Sequence, residues 1–308
     1  MALVTTKKLL QTAAKDNVAV CAFNVNNMEL IQAITRAAEI NGVGVILQAT
    51  SGATKYAGAT YIRKLVEAAA ESVSVDIALH LDHGADFESC RAAVDAGFTS
   101  VMIDGSHLPL EENIKVTKQV VDYAHKRGVS VEGELGQIAG IEDHVANEES
   151  KYTDPEAAKR FVSATGVDSL AVSIGTAHGA FKYKAAPAFR FDILQKIHDG
   201  IPNTPLVLHG ASSVTPEDID TINKFGGKIE NAMGVKEEVL AMSIKFGVRK
   251  INIDSDLRLA FTAALRQFLH DKPDVFDPRA ILGNSREAVQ TLVSKKLKIF
   301  SVQHPVSR

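Results

Sequence analysis

Eight short apolar runs, each followed by a longer amphipathic stretch, constrain the fold more than any other feature of the chain. The runs are rich in Val, Ile and Leu and are mostly apolar at both odd and even positions, as in strands covered on both faces of a parallel sheet. They span residues 18–25, 44–51, 76–84, 100–106, 130–136, 169–175, 205–212 and 248–256. Eight such strand-then-helix units predict an α/β fold of the (β/α)8 type, a TIM barrel.

The connections bear on the same prediction. A doubly wound open sheet is the alternative arrangement, but the chain has no GxGxxG after its first run and no P-loop to support nucleotide binding. Residues 137–156 and 213–235 exceed ordinary connection lengths, which predicts lids or binding loops. A helix around 257–270 is followed by a C-terminal helix near 285–300. Residues 1–308 are therefore expected to form a single domain with a C-terminal helical extension.

Composition and charge exclude several classes of protein. The 34 Lys and Arg residues nearly balance 37 Asp and Glu, giving a net charge of −3, and form no long basic run, so nucleic acid is not an expected partner. The two cysteines, Cys21 and Cys90, fit a reducing compartment rather than a disulfide framework. No stretch approaches the roughly 18 apolar residues of a membrane span, and the N-terminus lacks a signal-peptide pattern. We expect a cytoplasmic protein without a membrane partner.

Polar residues end nearly every predicted strand. Because TIM-barrel active sites lie at the C-terminal ends of the strands, these residues are expected to share one rim, although each alone could be a helix cap or turn former. They are Asn24, Thr50, Ser51, Asp82, His83, Asp104, Glu134, His178, His209, Asn252 and Asp254.

Three histidines on this rim, His83, His178 and His209, suggest a metal site. A lone histidine at a strand end is more often a hydrogen-bonded structural residue, but three imidazoles with an open fourth position make a catalytic zinc site. Gly179 and Gly210 follow two of them, and phosphate sites in TIM barrels are commonly built by the loops after strands seven and eight. Ordinary turn chemistry is the alternative for these loops. Their other polar residues are Lys182, Ser212, Ser213, Asp254 and Ser255.

Seven segments, in order over essentially the whole chain, resemble those of class II fructose-bisphosphate aldolases. They are AFNVNN, ALHLDHG, SVMIDGS, VEGELG, AHGAFK, LHGASS and KINIDSDLR. The chain is more similar to the shorter, often tetrameric subgroup than to the longer dimeric one. The resemblance implies reversible, zinc-dependent cleavage of fructose 1,6-bisphosphate to dihydroxyacetone phosphate and glyceraldehyde 3-phosphate, a step of glycolysis and gluconeogenesis, in a homo-oligomer, tetramer or dimer.

The resemblance also implies roles for the residues that match its motifs. His83, His178 and His209 correspond to the zinc ligands, Asp82 to the acid/base on the aldehyde oxygen, and Glu142 to a proton carrier on a mobile loop. Two further acids are either supports for the ligands or a possible second metal site, and a monovalent cation, Na⁺ or K⁺, is a further candidate ion. These acids are Asp104 and Glu134.

Substrate contacts are implied in the same way. The ketone-side phosphate site corresponds to Gly179, Lys182, Gly210, Ser212, Asp254 and Ser255. Asn24 and Asn252 match residues that contact substrate, Asn252 through oxygens near the metal. Arg258 matches the site of the other phosphate, together with Arg279 from a neighbouring subunit. The QATSGA segment departs from the family pattern, which leaves open whether Thr50 or Ser51 contacts substrate.

Competing functions differ at identifiable positions. A Schiff-base aldolase needs a buried lysine at a strand end, but SLAVSIG has none and Lys250 precedes the catalytic end of its strand. Tagatose 1,6-bisphosphate aldolase is the nearest alternative, and the resemblance associates the acid at Asp254 with fructose. A TIM-barrel hydrolase would usually carry an HxH pair in its first strand, and a structural zinc would need four protein ligands.

Overall fold

The computed structural model describes residues 3–142, 145–147, 151–179 and 189–302. For residues 141, 142, 145–147 and 178 it describes the backbone only. The helices are α1 Thr6–Asp16, α2 Met28–Asn41, α3 Ser51–Ala57, α4 Ala59–Glu71, α5 Phe87–Asp95, α6 Leu110–His125, α7 Pro155–Thr165, α8 Phe191–Gly200, α9 Pro216–Lys224, α10 Glu237–Ser243, α11 Ser255–Asp271 and α12 Pro278–Phe300. The strands are β1 Val20–Asn24, β2 Val45–Thr50, β3 Ile77–Gly84, β4 Ser100–Ile103, β5 Ser130–Leu135, β6 Ala139–Glu142, β7 Val145–Asn147, β8 Ser169–Val172, β9 Ala177–His178, β10 Leu206–Leu208 and β11 Val248–Ile253.

Eight strands close into a parallel barrel in the order β1, β2, β3, β4, β5, β8, β10 and β11, with β11 pairing back onto β1. Each lies within one of the eight apolar runs, so the predicted TIM barrel is confirmed. The strands are almost entirely buried because helices cover the outside of the barrel and side chains fill its interior.

The two long connections contain regular structure, which the sequence pattern did not predict. Within 137–156, β6 pairs antiparallel with β7 and parallel with β9, forming a small three-stranded sheet beside the barrel. Within 213–235, α9 begins at Pro216, a residue suited to the first turn of a helix. Short two- or three-residue strands carry too little periodicity to be recognised from sequence.

The C-terminal helix begins earlier than predicted, at Pro278 instead of near residue 285. Asp277 caps it by accepting the N–H of Arg279 at 2.9 Å, and Pro278 occupies the first helical position. Its buried stripe, which includes Val289, Val293 and Leu297, packs α12 against α2 and α11. Burying each such side chain contributes about 1.5–3 kcal/mol relative to exposure, so this helix is firmly held to the barrel.

Helix α1 closes the N-terminal end of the barrel. The Thr6 Oγ1 atom lies 2.8 Å from both Ser100 Oγ and Ser130 Oγ, at the starts of β4 and β5. The strand ends that carry Asn24, Thr50 and Asp82 lie at the opposite, C-terminal end. Among the described helices, none combines the length and apolar character that a membrane crossing requires. Cys21 and Cys90 are both buried free thiols.

Candidate metal and substrate site

Asp82 and His83 are adjacent in β3, yet both reach the same cluster of side chains. In a regular strand, neighbouring side chains point to opposite faces. Here His83 adopts φ +50°, the left-handed region, and the register with β4 shifts between Leu81 and Gly84. Ligand atoms of Asp82, His83 and His209 consequently lie within 4.8 Å of one another. A strained backbone of this kind is common where a functional site requires it.

Of the three predicted zinc ligands, His83 and His209 have described side chains, and one ring nitrogen of each faces the other. His83 Nδ1 donates to Asp104 Oδ2 at 2.9 Å, and His209 Nε2 donates to Glu132 Oε1 at 2.8 Å, because ionised carboxylates can only accept. The remaining nitrogens, His83 Nε2 and His209 Nδ1, lie 2.9 Å apart. Two lone pairs at this distance repel unless a cation or proton lies with them, so the donor set fits a metal ion. Carboxylate-supported histidines are the usual arrangement of such ligands.

The carboxylates around the histidines have strongly shifted pKa values. Burial would raise the pKa of Asp104, but the hydrogen bond and charge of His83 hold it below its usual range. Burial would also raise the pKa of Glu132, and the charge of Lys250 with the hydrogen bond from His209 lowers it instead. Burial lowers the pKa of His209, aided by the charge of His83. The His209 imidazole is thus kept neutral beside the ionised Glu132 carboxylate, as metal ligation requires.

A second group of possible ligands shares His83. Ligand atoms of His83, Asp104 and Glu134 lie within 4.8 Å of one another, and all three residues are buried. Burial and the charge of Asp104 raise the pKa of Glu134 well above its ordinary value. Its Oε2 atom is buried without a hydrogen-bond partner in the described part of the chain. An orphaned carboxylate oxygen beside a second acid fits a cation better than it fits a closed hydrogen-bond network.

Three amide side chains hold the carboxylate of Asp82. Asn24 Nδ2 and Gln48 Nε2 donate to Oδ2 at 2.9 and 3.0 Å, and Asn252 Nδ2 lies 3.3 Å from Oδ1. Asp82 is fully buried within this set. Donors from β1, β2 and β11 therefore fix the acid beside the histidine cluster. Of these donors, Gln48 was missed by the sequence analysis.

Below the histidines, a buried ion pair crosses the barrel. Lys250 Nζ lies 2.8 Å from Glu132 Oε2 and 3.4 Å from His80 Nε2, and all three residues are fully buried. The pair links the bottom of the barrel to His209 through the same Glu132 carboxylate. Neither His80 nor Glu132 was predicted from the sequence, and Lys250 was considered there only as a Schiff-base lysine and set aside.

The loops after β10 and β11 meet at Ser212. Its Oγ atom accepts the backbone N–H groups of Asp254 and Ser255, each at 3.1 Å. Gly210 adopts φ +61° and packs so tightly on the backbone of Ala177 that a Cβ atom would collide with it. A glycine is therefore required at this position, in a loop whose successive backbone N–H groups could form an anion-binding concavity. The structure therefore brings Ser212, Asp254 and Ser255 together, with Gly210 two residues before Ser212.

The two predicted arginines lie in different surroundings. Arg258 forms an ion pair with Asp254, with Nη2 2.6 Å from Oδ2. Arg279 pairs with Asp277, and 92% of its side chain is exposed. Nothing within the described chain brings Arg279 to the histidine cluster.

Thr50 and Ser51 mark the start of α3. Thr50 Oγ1 accepts the N–H of Ala53 at 3.2 Å as the helix cap, and Ser51 is the first helical residue. The Thr50 hydroxyl oxygen thus has a structural partner, whereas Gln48, two residues earlier on the same strand face, reaches Asp82.

Three predicted site residues fall wholly or partly outside the described structure. The backbone of His178 lies in β9 beside Gly140 of β6, and Glu142 ends β6. Their side chains lie outside the described part, as does the whole of Lys182. Gly179 follows β9 with φ +83°. The small sheet therefore brings the backbone segments bearing a predicted ligand and the predicted loop acid side by side.

Comparisons with known proteins show which family and fold the chain resembles. Residues 4–304 match the family model described as fructose-bisphosphate aldolase class-II. The fructose-bisphosphate aldolase of Giardia intestinalis is 48% identical over 303 residues, covering 97% of this chain and 93% of that protein. That of Thermus caldophilus is 47% identical over 300 residues, covering 97% and 98%. The crystal structure of the YdjI aldolase from Escherichia coli K12 superposes with a TM-score of 0.77, 30% identity and 98% coverage of both chains.

Proposed function

The chain belongs to the class-II fructose-bisphosphate aldolase family, and from that membership we propose how its own residues carry out the reaction. It is a metal-dependent lyase that reversibly cleaves fructose 1,6-bisphosphate to dihydroxyacetone phosphate and glyceraldehyde 3-phosphate, the aldolase step of glycolysis and gluconeogenesis. The tagatose alternative is not favoured, because the similar proteins are named fructose-bisphosphate aldolases.

The proposed metal is Zn²⁺, held by His83, His178 and His209. The facing His83 Nε2 and His209 Nδ1 atoms, 2.9 Å apart, are the observation that carries this assignment. A third imidazole completes the nitrogen donors of a catalytic zinc site and leaves one position for substrate. When bound, zinc supplies a Lewis acid that polarises the ketose carbonyl. Asp104 and Glu134 are a possible second site, and Na⁺ or K⁺ is a further candidate cation.

Two carboxylates are proposed to move protons. Asp82 takes the proton of the C4 hydroxyl during cleavage and returns it during condensation, because its amide donors Asn24 and Gln48 hold it beside the histidines. Glu142, at the end of β6, is proposed to protonate the carbanionic carbon left by cleavage. A carboxylate on a loop that closes over the site would also exclude water from that carbon.

The substrate is proposed to be held through both phosphates. Gly179, Lys182, Gly210, Ser212 and Ser255 are assigned to the ketone-side phosphate. Asp254 is assigned to the same site and to sugar choice, with Asn252 near the reacting oxygens. Arg258 and a neighbouring subunit's Arg279 are assigned to the other phosphate, and Thr50 or Ser51 remains a candidate contact.

A homo-oligomer, dimer or tetramer, follows from the assignment of Arg279. Its guanidinium is almost fully exposed, and Phe276 nearby on the chain is 90% exposed. A large exposed aromatic residue beside an exposed arginine suits a contact with a second copy. We further propose one domain over residues 1–308 and a cytoplasmic location, in keeping with two free thiols.

Release of triose phosphate from fructose and tagatose bisphosphates, measured with and without chelator, tests the proposed function. Wild-type enzyme should cleave fructose bisphosphate, lose activity with chelator, and regain it with added Zn²⁺. Borohydride added with substrate should trap no lysine adduct. Activity that survives complete metal removal, or a trapped adduct, would contradict the assignment.

A further inference from the structure

A buried lysine lies behind the loop after β10. Lys296 on α12 is 1% exposed, and its ammonium contacts three acceptors. Its Nζ atom lies 2.8 Å from Asp256 Oδ2, 2.9 Å from Glu237 Oε1 and 2.8 Å from Ser213 Oγ. Three acceptors satisfy all three N–H groups of an ammonium. The side chain is therefore fixed in one position inside the protein.

Asp256 joins this lysine to the backbone of the loop. Its two carboxylate oxygens accept the N–H groups of Ser213 at 3.0 Å and Val214 at 2.6 Å. Val214 adopts φ +55°, a conformation that a β-branched residue reaches only at a cost. The Asp256 carboxylate thus holds the loop in a shape it would not adopt unaided.

A second segment clamps the same loop from the other side. Val235 N–H donates to the Ser212 carbonyl at 3.0 Å. Gly234 lies so close to the backbone of Ser212 and Ser213 that a Cβ atom would collide with both. Residues 210–214, which we call the β10 loop, are consequently held between this segment and the Lys296 cluster.

The charges of the cluster indicate what it does. The ammonium groups of Lys296 and of the neighbouring Lys295 are balanced by the two carboxylates of Asp256 and Glu237, so the cluster offers no net positive charge to attract an anion from a distance. Because Lys296 donates to Ser213 Oγ, the hydroxyl proton of Ser213 is left to donate elsewhere. The cluster therefore acts by shaping the loop and by orienting one hydroxyl.

We propose that Lys296 and Asp256 are positioning residues that hold the β10 loop in the form that binds the ketose phosphate. This inference rests on the proposed function, because the β10 loop contains Gly210 and Ser212 of the assigned phosphate site. Lys296 does not itself touch substrate. Through Lys296, the position of the C-terminal helix α12 affects the affinity for phosphate, a role that none of the predicted site residues has.

Lys295 supplies a matched control for Lys296. It pairs with the same Glu237, at 3.1 Å, but is 61% exposed. Lys296→Met should raise both KM for fructose bisphosphate and the inhibition constant of inorganic phosphate by about tenfold or more, with a smaller change in kcat. Lys295→Met should leave all three unchanged. Ser213→Ala, a small change compatible with folding, should raise the phosphate inhibition constant severalfold on its own.

The outcomes separate this inference from the proposed function. Wild-type enzyme that fails to cleave fructose bisphosphate contradicts the function. Active wild type with an unaltered phosphate inhibition constant in Lys296→Met overturns the inference, as does an equal change in Lys295→Met. Should Lys296→Met fail to fold, an unchanged phosphate inhibition constant in Ser213→Ala overturns it.

Discussion

His83 Nε2 and His209 Nδ1 lie 2.9 Å apart, and each ring is oriented by a hydrogen bond from its other nitrogen to a buried carboxylate. The carboxylates, Asp104 and Glu132, fix the tautomers so that the facing nitrogens carry lone pairs. The orientation of the two zinc-facing nitrogens is thus set by two carboxylates that are not among the proposed zinc ligands. This relationship gives the first prediction.

Glu132→Gln should weaken metal binding by about 10–100-fold, because the oriented acceptor behind His209 loses its charge. The measurement is metal affinity by competition with a chromophoric chelator. Glu67→Gln, which alters an exposed carboxylate paired with Arg63 on α4, is the control and should bind metal normally. Unaltered metal affinity in Glu132→Gln would show that the hydrogen bond does not support the ligand.

Asp82→Asn should retain metal and yet lose about 10²–10⁴-fold in kcat, the contribution expected of a positioned general acid/base. The amide cannot take the C4 hydroxyl proton, although its size preserves the packing among Asn24 and Gln48. Metal content and turnover should be measured on the same samples. Near-normal turnover with full metal content would remove Asp82 from its assigned role.

The site could be predicted from sequence where the signal was a polar residue at the end of a strand. Asp82, His83 and His209 fall into one cluster as expected. The residues to which the sequence assigned no place in the site lie deeper in the barrel, since Gln48, Glu132 and Lys250 each stand two positions before a predicted site residue. The two-residue period of a strand points them to the same side, so alternation within the apolar runs could have identified them.

Other features had no sequence signal. The left-handed backbone of His83 depends on a register shift against β4, which is a property of the closed barrel. Lys296 lies on a helix whose polar positions usually face solvent, and only the three-dimensional packing of α12 brings it to Asp256. The barrel itself was predictable because eight buried parallel strands impose a repeated pattern along the whole chain.

Lys250→Met should destabilise the metal-free protein by about 3–5 kcal/mol, because it leaves the fully buried Glu132 carboxylate without its cation. Urea unfolding in chelator gives this free energy without the contribution of metal binding. Lys118→Met breaks an exposed pair with Asp122 and should change the free energy of unfolding little, because solvent screens the two charges. Equal unfolding free energies for the two variants would contradict the prediction.

The pH dependence of this stabilisation has a definite sign. The pKa of Glu132 is held below its ordinary value in the folded protein. Its contribution is therefore fully present above the unfolded pKa, near 4.3, and is lost as the pH falls toward the folded pKa. The difference between wild type and Lys250→Met should consequently be larger at pH 7 than in strongly acidic solution.

The two cysteines should be unreactive in the native enzyme. Burial raises the pKa of the Cys21 thiol to about 12, and burial also raises that of Cys90. Since only the thiolate is nucleophilic, both thiols stay protonated and shielded at pH 8. A chromogenic disulfide reagent should label neither residue in native protein and both after unfolding in guanidinium. Rapid labelling of the native enzyme would contradict this account.

The choice between sugar epimers is predicted to depend on Asp254. Its carboxylate follows β11, directly before α11, and is held by an ion pair with Arg258. If it accepts the C4 hydroxyl of fructose bisphosphate, the other epimer leaves buried polar groups unpaired, at about 1–3 kcal/mol each. Wild-type kcat/KM should therefore favour fructose over tagatose bisphosphate by a factor on the order of ten to a hundred.

Asp254→Ala should lower kcat/KM for fructose bisphosphate steeply and reduce the ratio of kcat/KM between fructose and tagatose bisphosphates. Because this change also removes the ion pair between Asp254 and Arg258, Arg258→Met is the necessary control. The Arg258→Met change should lower kcat/KM for both sugars by about the same factor, since an arginine assigned to a phosphate does not distinguish the C4 epimers. Measuring kcat/KM for both sugars in the three proteins separates the two roles. A fructose-to-tagatose ratio that stays at the wild-type value in Asp254→Ala, or that falls equally in Arg258→Met, would mean that the Asp254 carboxylate is not the group that distinguishes the sugars.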